Sequence, residues 1–205
     1  NPTCGSGVAI RLSEIRIDQP GTDNDEYIEI EGPAGFNMNG FSIVVLGDNE
    51  STTQLDVSGV IESITPLDGA IIPADGYLLV AKSMIIAVPD FIVAATAMNF
   101  ENSDNVTFLL VSGFTGALNQ DVDTDTNCVI DVNPWTAIID SVSLTGLDTT
   151  CIYSSSVAGP DGNYTTGHAF RCFSEGTWSV GAFDQLAGGD TPGAQNRACG
   201  LGPVL

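Results

Sequence analysis

Basic residues are nearly missing from this chain. Only Arg11, Arg16, Lys82, Arg171 and Arg197 face 26 Asp and Glu residues, giving a formal charge of -21 at pH 7. Nucleic-acid binding relies on clustered Lys and Arg that neutralise phosphates, so no nucleic-acid partner is expected, and anionic membrane surfaces are disfavoured for the same reason. Such an acidic surface suits a salty or calcium-rich medium, where counterions screen self-repulsion within about 10 Å. Long apolar runs are missing too. The best candidate, Met84 to Met98, is broken by Pro89 and Asp90, short of the roughly 18 residues a membrane span needs, so no membrane span is expected.

Histidine occurs once, as His168, which excludes the common multi-histidine zinc sites. It is also the only imidazole base for a hydroxyl nucleophile such as Ser154, Ser155 or Ser156, and no G-x-S-x-G elbow presents one. The expected role of His168 is packing or hydrogen bonding at a strand end. No repeat period or low-complexity linker is present.

The five cysteines, Cys4, Cys128, Cys151, Cys172 and Cys199, form no CxxC or Cys/His pattern. Disulfides in an exported protein are the expectation, with two bridges and one thiol left over. The opening NPTCGSG lacks an initiator Met, as after removal of an export signal, although a trimmed chain begins the same way. Sequons at Asn49, Asn105 and Asn163 permit N-glycans if the source glycosylates.

What is abundant is turn chemistry between strand-like runs. Gly 23 and Pro 10 in 205 residues favour one large all-β domain, and at this size roughly 70% of the unfolded chain's surface can be buried. In VAIRLSEIRI, Ile10 and Leu12 share one face and Ile15 and Ile17 the other, so either the strand has a bulge or both faces are covered. Glu14 then falls on the Ile10 and Leu12 face. EYIEIEG alternates, with Ile28 and Ile30 inward and Tyr27, Glu29 and Glu31 outward, as in a half-buried strand. GFSIVVLGD, GYLLVAKS and NVTFLLVSG are apolar on both faces, as central strands of a packed sandwich are. TAIIDSVSL puts Ile138, Asp140, Val142 and Leu144 in one phase, which holds Asp140 near the core. KSMIIAVPDF is the one segment with room for a helical turn or two before Pro89.

The ordered segments LSEIRID, DNDEYIEIEG, MNGFSIVVLGD, IIPADGYLLVAKS, NSDNVTFLLV, AIIDSVSL and GDTPGAQN, from Val8 to Asn196, resemble the lamin tail domain family. The resemblance covers nearly the whole chain. It implies an immunoglobulin-like β-sandwich, found in exported bacterial proteins as well as nuclear lamins, with no catalytic machinery of its own. The chain departs from the compact family pattern at 113–134 and 145–176. The resulting layout is an N-terminal tail 1–7, a sandwich 8–197 with those two insertions, and a C-terminal tail 198–205.

The first insertion contains DVDTDTNCVID. Asp121, Asp123, Asp125 and Asn127 occupy alternating positions, as the first ligands of a calcium loop do, and hard oxygen donors select Ca2+ over Zn2+. Counted from Asp121, the glycine place is Thr126 and position twelve is Val132, while Asp131 comes one place early. A distorted loop can still use Asp131. The expected ion is structural calcium held by Asp121, Asp123, Asp125, Asn127 and Asp131; the alternative is a solvated acidic turn.

Other groups have plainer readings. Asp23, Asp25 and Glu26 could hold an ion at a hairpin mouth, but turn geometry is the expected role. Glu14, Glu29 and Asp140 could be proposed as an acid/base pair, but bonding to amides or arginines is the simpler role. Trp135, Trp178, Tyr153, Tyr164 and Phe173 could stack on sugars, although sandwich aromatics are usually core, and Trp135 after Pro134 fits a strand-start anchor.

The functional expectation is a non-enzymatic extracellular or cell-surface structural or adhesive sandwich, self-associating or binding other surface proteins through open sheet edges and extended ends. One end could close back through Cys4 to Cys199. The alternatives are a calcium-dependent glycan- or protein-binding module of a larger exported enzyme and, less favoured, a hydrolase.

Overall fold

Strand-forming runs pair into two sheets in a computed structural model of the protein, which describes residues 10–48, 58–84, 86–147, 151–162, 164–173 and 175–199. The strands are β1 (Arg11–Arg16), β2 (Tyr27–Glu31), β3 (Phe41–Asp48), β4 (Ser58–Pro66), β5 (Tyr77–Ala81), β6 (Phe91–Ile92), β7 (Val106–Ser112), β8 (Ala137–Leu144), β9 (Val157–Ala158), β10 (His168–Arg171) and β11 (Trp178–Val180). The first sheet runs β11-β10-β1-β2-β5-β6 and the second β4-β3-β7-β8-β9. All neighbours are antiparallel except β5 with β6 and β8 with β9.

The two sheets face each other across one core. Leu12, Ile15, Ile28, Ile30, Leu78 and Val80 of the first meet Ile43, Val45, Phe108, Leu110, Val142 and Leu144 of the second. Each fully buried side chain of this kind stabilises by about 1.5–3 kcal/mol. The intervening residues of β3 and β7 are equally apolar, and Val44, Leu46, Leu109 and Val111 form a second cluster with Ile61, Val122 and Trp135. The first insertion therefore lies over the outer face of the second sheet. That cover explains why these strands carry apolar residues in both phases.

The first sheet is covered on both faces as well. The β1–β2 register shifts between Leu12 and Glu14, so Leu12 and Ile15 both enter the core while Glu14 and Arg16 face outward. Glu14 thus sits opposite Leu12, and the expectation that they share a face is corrected by the bulge. Tyr27 and Glu29 are fully buried. The strand expected to be half-buried has its outer side closed by residues 190–196, through bonds described below.

A second bulge separates Ile138 and Asp140 on β8, which leaves Ile138 at 40% exposure while Val142 and Leu144 stay in the core. Asp140 joins the sheets, accepting from the Leu12 amide at 2.9 Å and from Arg171 Nη2 at 2.6 Å. The segment before Pro89 forms no helical turn among its described residues; the chain forms β6 instead, and 3-10 turns occur at Ala95–Ala97 and Gln185–Ala187. The 145–176 span supplies β9 and β10, and β10 lies between β1 and β11 inside the first sheet.

The sheet edges are blunt. β6 and β9 have two residues each and β11 has three. The long edge strand, β4, is overlaid where Ile61 exchanges backbone bonds with Asn119 and Gln120 at 2.8 and 2.9 Å, and where Ser63 Oγ donates to Ala97 O at 2.9 Å. Short or covered edges resist strand addition, so open edges are a poorer docking surface than the sequence suggested.

Candidate calcium loop and a buried ion-pair seam

The acidic loop begins where the insertion has just paired with β4. Val122 donates its amide to Gly59 O at 2.9 Å, and Asp121 bridges Val60. Gly59 has φ +88, and a Cβ there would come 2.6 Å from the Asp123 Cβ and 2.8 Å from Tyr153 Oη. Glycine is required by both the backbone angle and the close approach. Asp123 is fully buried. Its Oδ1 accepts from the Asn127 amide at 3.1 Å, and its Oδ2 accepts from the Cys128 amide at 2.9 Å and from the Tyr153 hydroxyl at 2.7 Å. Burial first, then the bond to Asp123 and the charges of Asp123 and Asp121, push the Tyr153 hydroxyl pKa up.

Asp123, Asp125 and Asp131 each bring one carboxylate oxygen within 4.8 Å of the others. Asp121 stands apart from them, accepting from the Asp123 amide at 2.9 Å. Asn127 is adjacent, its Nδ2 donating to Asp125 Oδ2 at 3.0 Å, and Thr124 Oγ1 donates to Asp131 Oδ2 at 2.9 Å. The three grouped carboxylates allow a second way of counting, from Asp123 instead of Asp121. Asp123, Asp125, Asn127 and Asp131 then fall at positions one, three, five and nine of a calcium loop, and the sixth, where glycine normally makes the sharp turn, is Cys128. Cys128 has φ 66 and Thr126 φ 54. Cys128 is fixed in this left-handed conformation next to its bridge to Cys151. Asp123, Asp125, Asp131 and the Asn127 amide oxygen are the residues that could hold an ion.

The opposite outer face carries a different arrangement. Arg16, fully buried, donates from Nε and Nη2 to the two oxygens of Asp190 at 2.7 Å each. Its remaining donors reach Asp18 O, Phe183 O and Ala182 O at 2.8–2.9 Å. Glu14 accepts from the Thr191 amide at 3.1 Å, from Thr191 Oγ1 at 2.8 Å and from His168 Nε2 at 2.7 Å. Gly193 N donates to Glu29 Oε2 at 2.7 Å, and Asn196 Nδ2 reaches Ser13 O at 3.0 Å. The closing GDTPGAQN is thereby bonded to LSEIRID and EYIEIEG. Burial, then the charge of Glu14, raises the Glu29 pKa to about 8.

His168 is fully buried, with Nδ1 3.5 Å from Asp190 Oδ1, beyond hydrogen-bond geometry. Its ring packs against Gly181, where any Cβ would overlap it. Glu14 and Glu29 do meet, opposite each other in the β1–β2 register, but both are sealed from solvent. Asp140 lies away from them, on Arg171.

Trp135 is in the second core while Trp178 is on β11 under Arg171, whose guanidinium is 5.0 Å from its ring centre. The aromatics therefore form no single sugar platform. Cys199 pairs with Cys172, which corrects the proposed Cys4 to Cys199 closure; Cys4 lies outside the described residues. Two disulfides fit an oxidising environment. Asn105 is buried and accepts from the Gly146 amide at 3.0 Å, so the folded chain cannot carry a glycan there; Asn49 and Asn163 lie outside the described residues. Asp25 and Glu26 are buried and bonded to the backbone, Asp25 to Ile86 N and Glu26 to Phe100 N, both at 3.1 Å, and Glu26 also pairs with Lys82. No helix among the described residues is long and apolar enough to cross a membrane.

Sequence reasoning found the acidic loop through its alternation but missed the Arg16–Asp190 pair, whose members are 174 positions apart. The one available signal was the scarcity of arginine, which makes each Arg a candidate for a specific carboxylate. No family model matches the chain, and no curated protein or solved structure matches it significantly.

Proposed function

We propose that the chain is a non-enzymatic extracellular structural or adhesive module, an immunoglobulin-like sandwich of the lamin tail type, in which calcium at Asp123, Asp125 and Asp131 locks the first insertion against the second sheet. The convergence of these three carboxylates at a loop bridged to Cys151 carries the proposal. Bound calcium would supply the positive charge that the loop's amide and hydroxyl donors do not. The loops and outer faces, with the blunt edges kept from strand pairing, present a stiff surface to neighbouring copies or other surface proteins. Docking of the GDTPGAQN segment onto LSEIRID and EYIEIEG supports the lamin-tail part of the proposal, because the motifs that carry the resemblance meet in space.

Calcium titration of the parent and of the Asp123→Ala and Asp125→Ala double variant tests the site. At a dissociation constant of ~0.1 mM and ~10 mM calcium, the parent gains about 2.7 kcal/mol in urea unfolding and the double variant gains nothing. Equal binding heats in both remove the site. Self-association is read separately by sizing the full chain against one lacking 1–7 and 198–205; unchanged assembly excludes the ends as connectors. Loss of a glycan-array signal on chelation would favour a calcium-dependent binding module, a reading suggested by the exposed Leu118 and Val129 of the insertion.

A further inference from the structure

We propose that a cavity of about 740 Å³ beside β11 binds a small organic carboxylate, whose charge is met by Arg197 and whose apolar body fills the remaining space. The chain has five bases for 26 acids. Arg11, Arg16, Lys82 and Arg171 each pair with a carboxylate of the chain, Glu31, Asp190, Glu26 and Asp140 respectively. Arg197 pairs with none among the described residues, and its guanidinium donates no hydrogen bond to them. Its contact is the ring of Phe170, whose centre is 4.6 Å away.

The backbone that carries Arg197 is fixed on both sides. Asn196 is buried and donates to Ser13 O and Oγ at 3.0 and 2.8 Å, Arg197 O accepts from the Phe173 amide at 3.1 Å, and Cys199 is bridged to Cys172. The guanidinium lies over Phe170 and close to Gly189, where a Cβ would come 2.9 Å from Nη1. Gly189 has φ +111, so both the backbone angle and the close approach call for glycine. Phe170, Gly189 and Arg197 all line the cavity, which places the guanidinium in its wall. Asp190 lines it too, but both its oxygens are bonded to Arg16. A guanidinium stacked on an aromatic face keeps its edge donors for a carboxylate, which it can hold with two parallel bonds. Fixing it in advance lowers the ordering cost of that grip.

The rest of the wall sets the class of ligand. Phe170, Val180, Ala182, Ala187 and Ala198 give it an apolar lining, and a cavity of this size with few polar groups is the usual form of a small-molecule site. One guanidinium balances one negative charge. Asp190 in the same wall and the formal charge of -21 oppose a second, so a monocarboxylate is favoured over phosphate. A free organic acid and the terminal carboxylate of a peptide present the same chemistry. The site uses no residue of the Asp123 loop and goes beyond the calcium proposal.

Titration of the full chain in chelator, followed through the NMR signals of the Arg197 Nε–H and the Gly189 amide, tests this. The probes are benzoate and N-acetylglycylphenylalanine for the two sources, their uncharged amides, and inorganic phosphate. At least one carboxylate should saturate both signals, with its amide and phosphate roughly tenfold weaker or more. Saturation by benzoate alone supports a site for free acids, and by the dipeptide alone one for peptide ends. Arg197→Gln should weaken binding roughly tenfold or more, and Arg197→Lys, which keeps the charge without the fork, by less. Ala187 is exposed and lines the cavity, so Ala187→Trp fills the space with Arg197 in place and should weaken binding even if the Arg197 variants disturb Phe170. Failure of both carboxylates to bind, equal binding of acid and amide, or unchanged binding in Arg197→Gln and Ala187→Trp overturns the inference. Saturation that appears only in a chain lacking 200–205 also overturns it, by assigning the cavity to the chain's own end.

Discussion

Residues 190–196 close the outer face of the first sheet with charges that are answered inside the protein, Arg16 by Asp190 and Glu14 by Thr191 and His168. Residues 113–135 close the outer face of the second sheet with Val122 and Trp135, while their carboxylates gather among amide and hydroxyl donors, with no Lys or Arg among the described residues bonded to Asp123. The first cover brings the carboxylate Asp190 to a cation already present on β1, Arg16. The second relies on a disulfide, and the calcium proposed for it would come from solution. Stability at the two faces should accordingly respond to different variables, and the experiments below separate them.

The largest effect is expected at Arg16. Replacing it with Met keeps the volume but leaves Asp190 buried beside Glu14 without its partner, and breaking a buried pair in this way costs about 3–5 kcal/mol. Urea unfolding should show that loss equally in calcium and in chelator. If calcium restored the variant, the separation of the two faces would be wrong.

pH should act next, and on the first face most strongly. Glu29 keeps its proton in the folded chain up to about 8, against an ordinary value of 4.5. A raised folded-state pKa favours folding while the group stays protonated, so this contribution is complete below pH 4.5 and is lost as pH rises through about 8. Between pH 5 and 8 the loss is on the order of 4 kcal/mol. Asp104, raised from 3.8 to about 7, acts with the same sign over a narrower window. Stability curves from pH 5 to 9 should therefore fall less steeply for Glu29→Gln than for the parent, and parallel curves would show that Glu29 ionises normally.

The bridges sharpen the contrast at smaller cost. Cys128–Cys151 and Cys172–Cys199 span 23 and 27 positions, and for loops of that length chain entropy alone assigns each roughly 3 kcal/mol. Serine pairs at either bridge should lower stability similarly in chelator. Added CaCl2 should recover part of the loss at Cys128 and Cys151 and none at Cys172 and Cys199. Equal recovery at both would mean that calcium acts through general screening of the acidic surface.

Much of this architecture could be read from local patterns, because strand periodicity is a local property. Apolar residues in both phases of β3 and β7 signalled two covered faces, whereas the phase break in VAIRLSEIRI fitted a bulge or two covered faces equally, and the bulge at Ser13 is settled by pairing with β2. The alternating acids led to Asp123, Asp125 and Asp131. Starting the calcium count at Asp123 could not be read, since it depends on Cys128 taking a positive φ next to a partner 23 positions away. The approach of Asp48, Glu62 and Glu101 to one another was equally hidden, as their segments meet only after the second sheet forms. Tyr27 and Glu29 read as solvent-facing because nothing within EYIEIEG reveals that residues 190–196 return to cover them.

The smallest effect tests how tightly the second cover is held. Tyr153 donates to Asp123 Oδ2 at 2.7 Å from a half-buried position, and Tyr153→Phe removes that bond with little change in shape. A hydrogen bond to a charged acceptor stabilises by about 1.5–3 kcal/mol, and partial exposure places this one at the lower end. In chelator the variant should lose about 1.5 kcal/mol in urea unfolding. With calcium present the ion takes over the charge on Asp123, so the same substitution should cost less. An equal cost in both conditions would show that the ion, if bound, does not engage Asp123, and would move the centre of the loop toward Asp125 and Asp131.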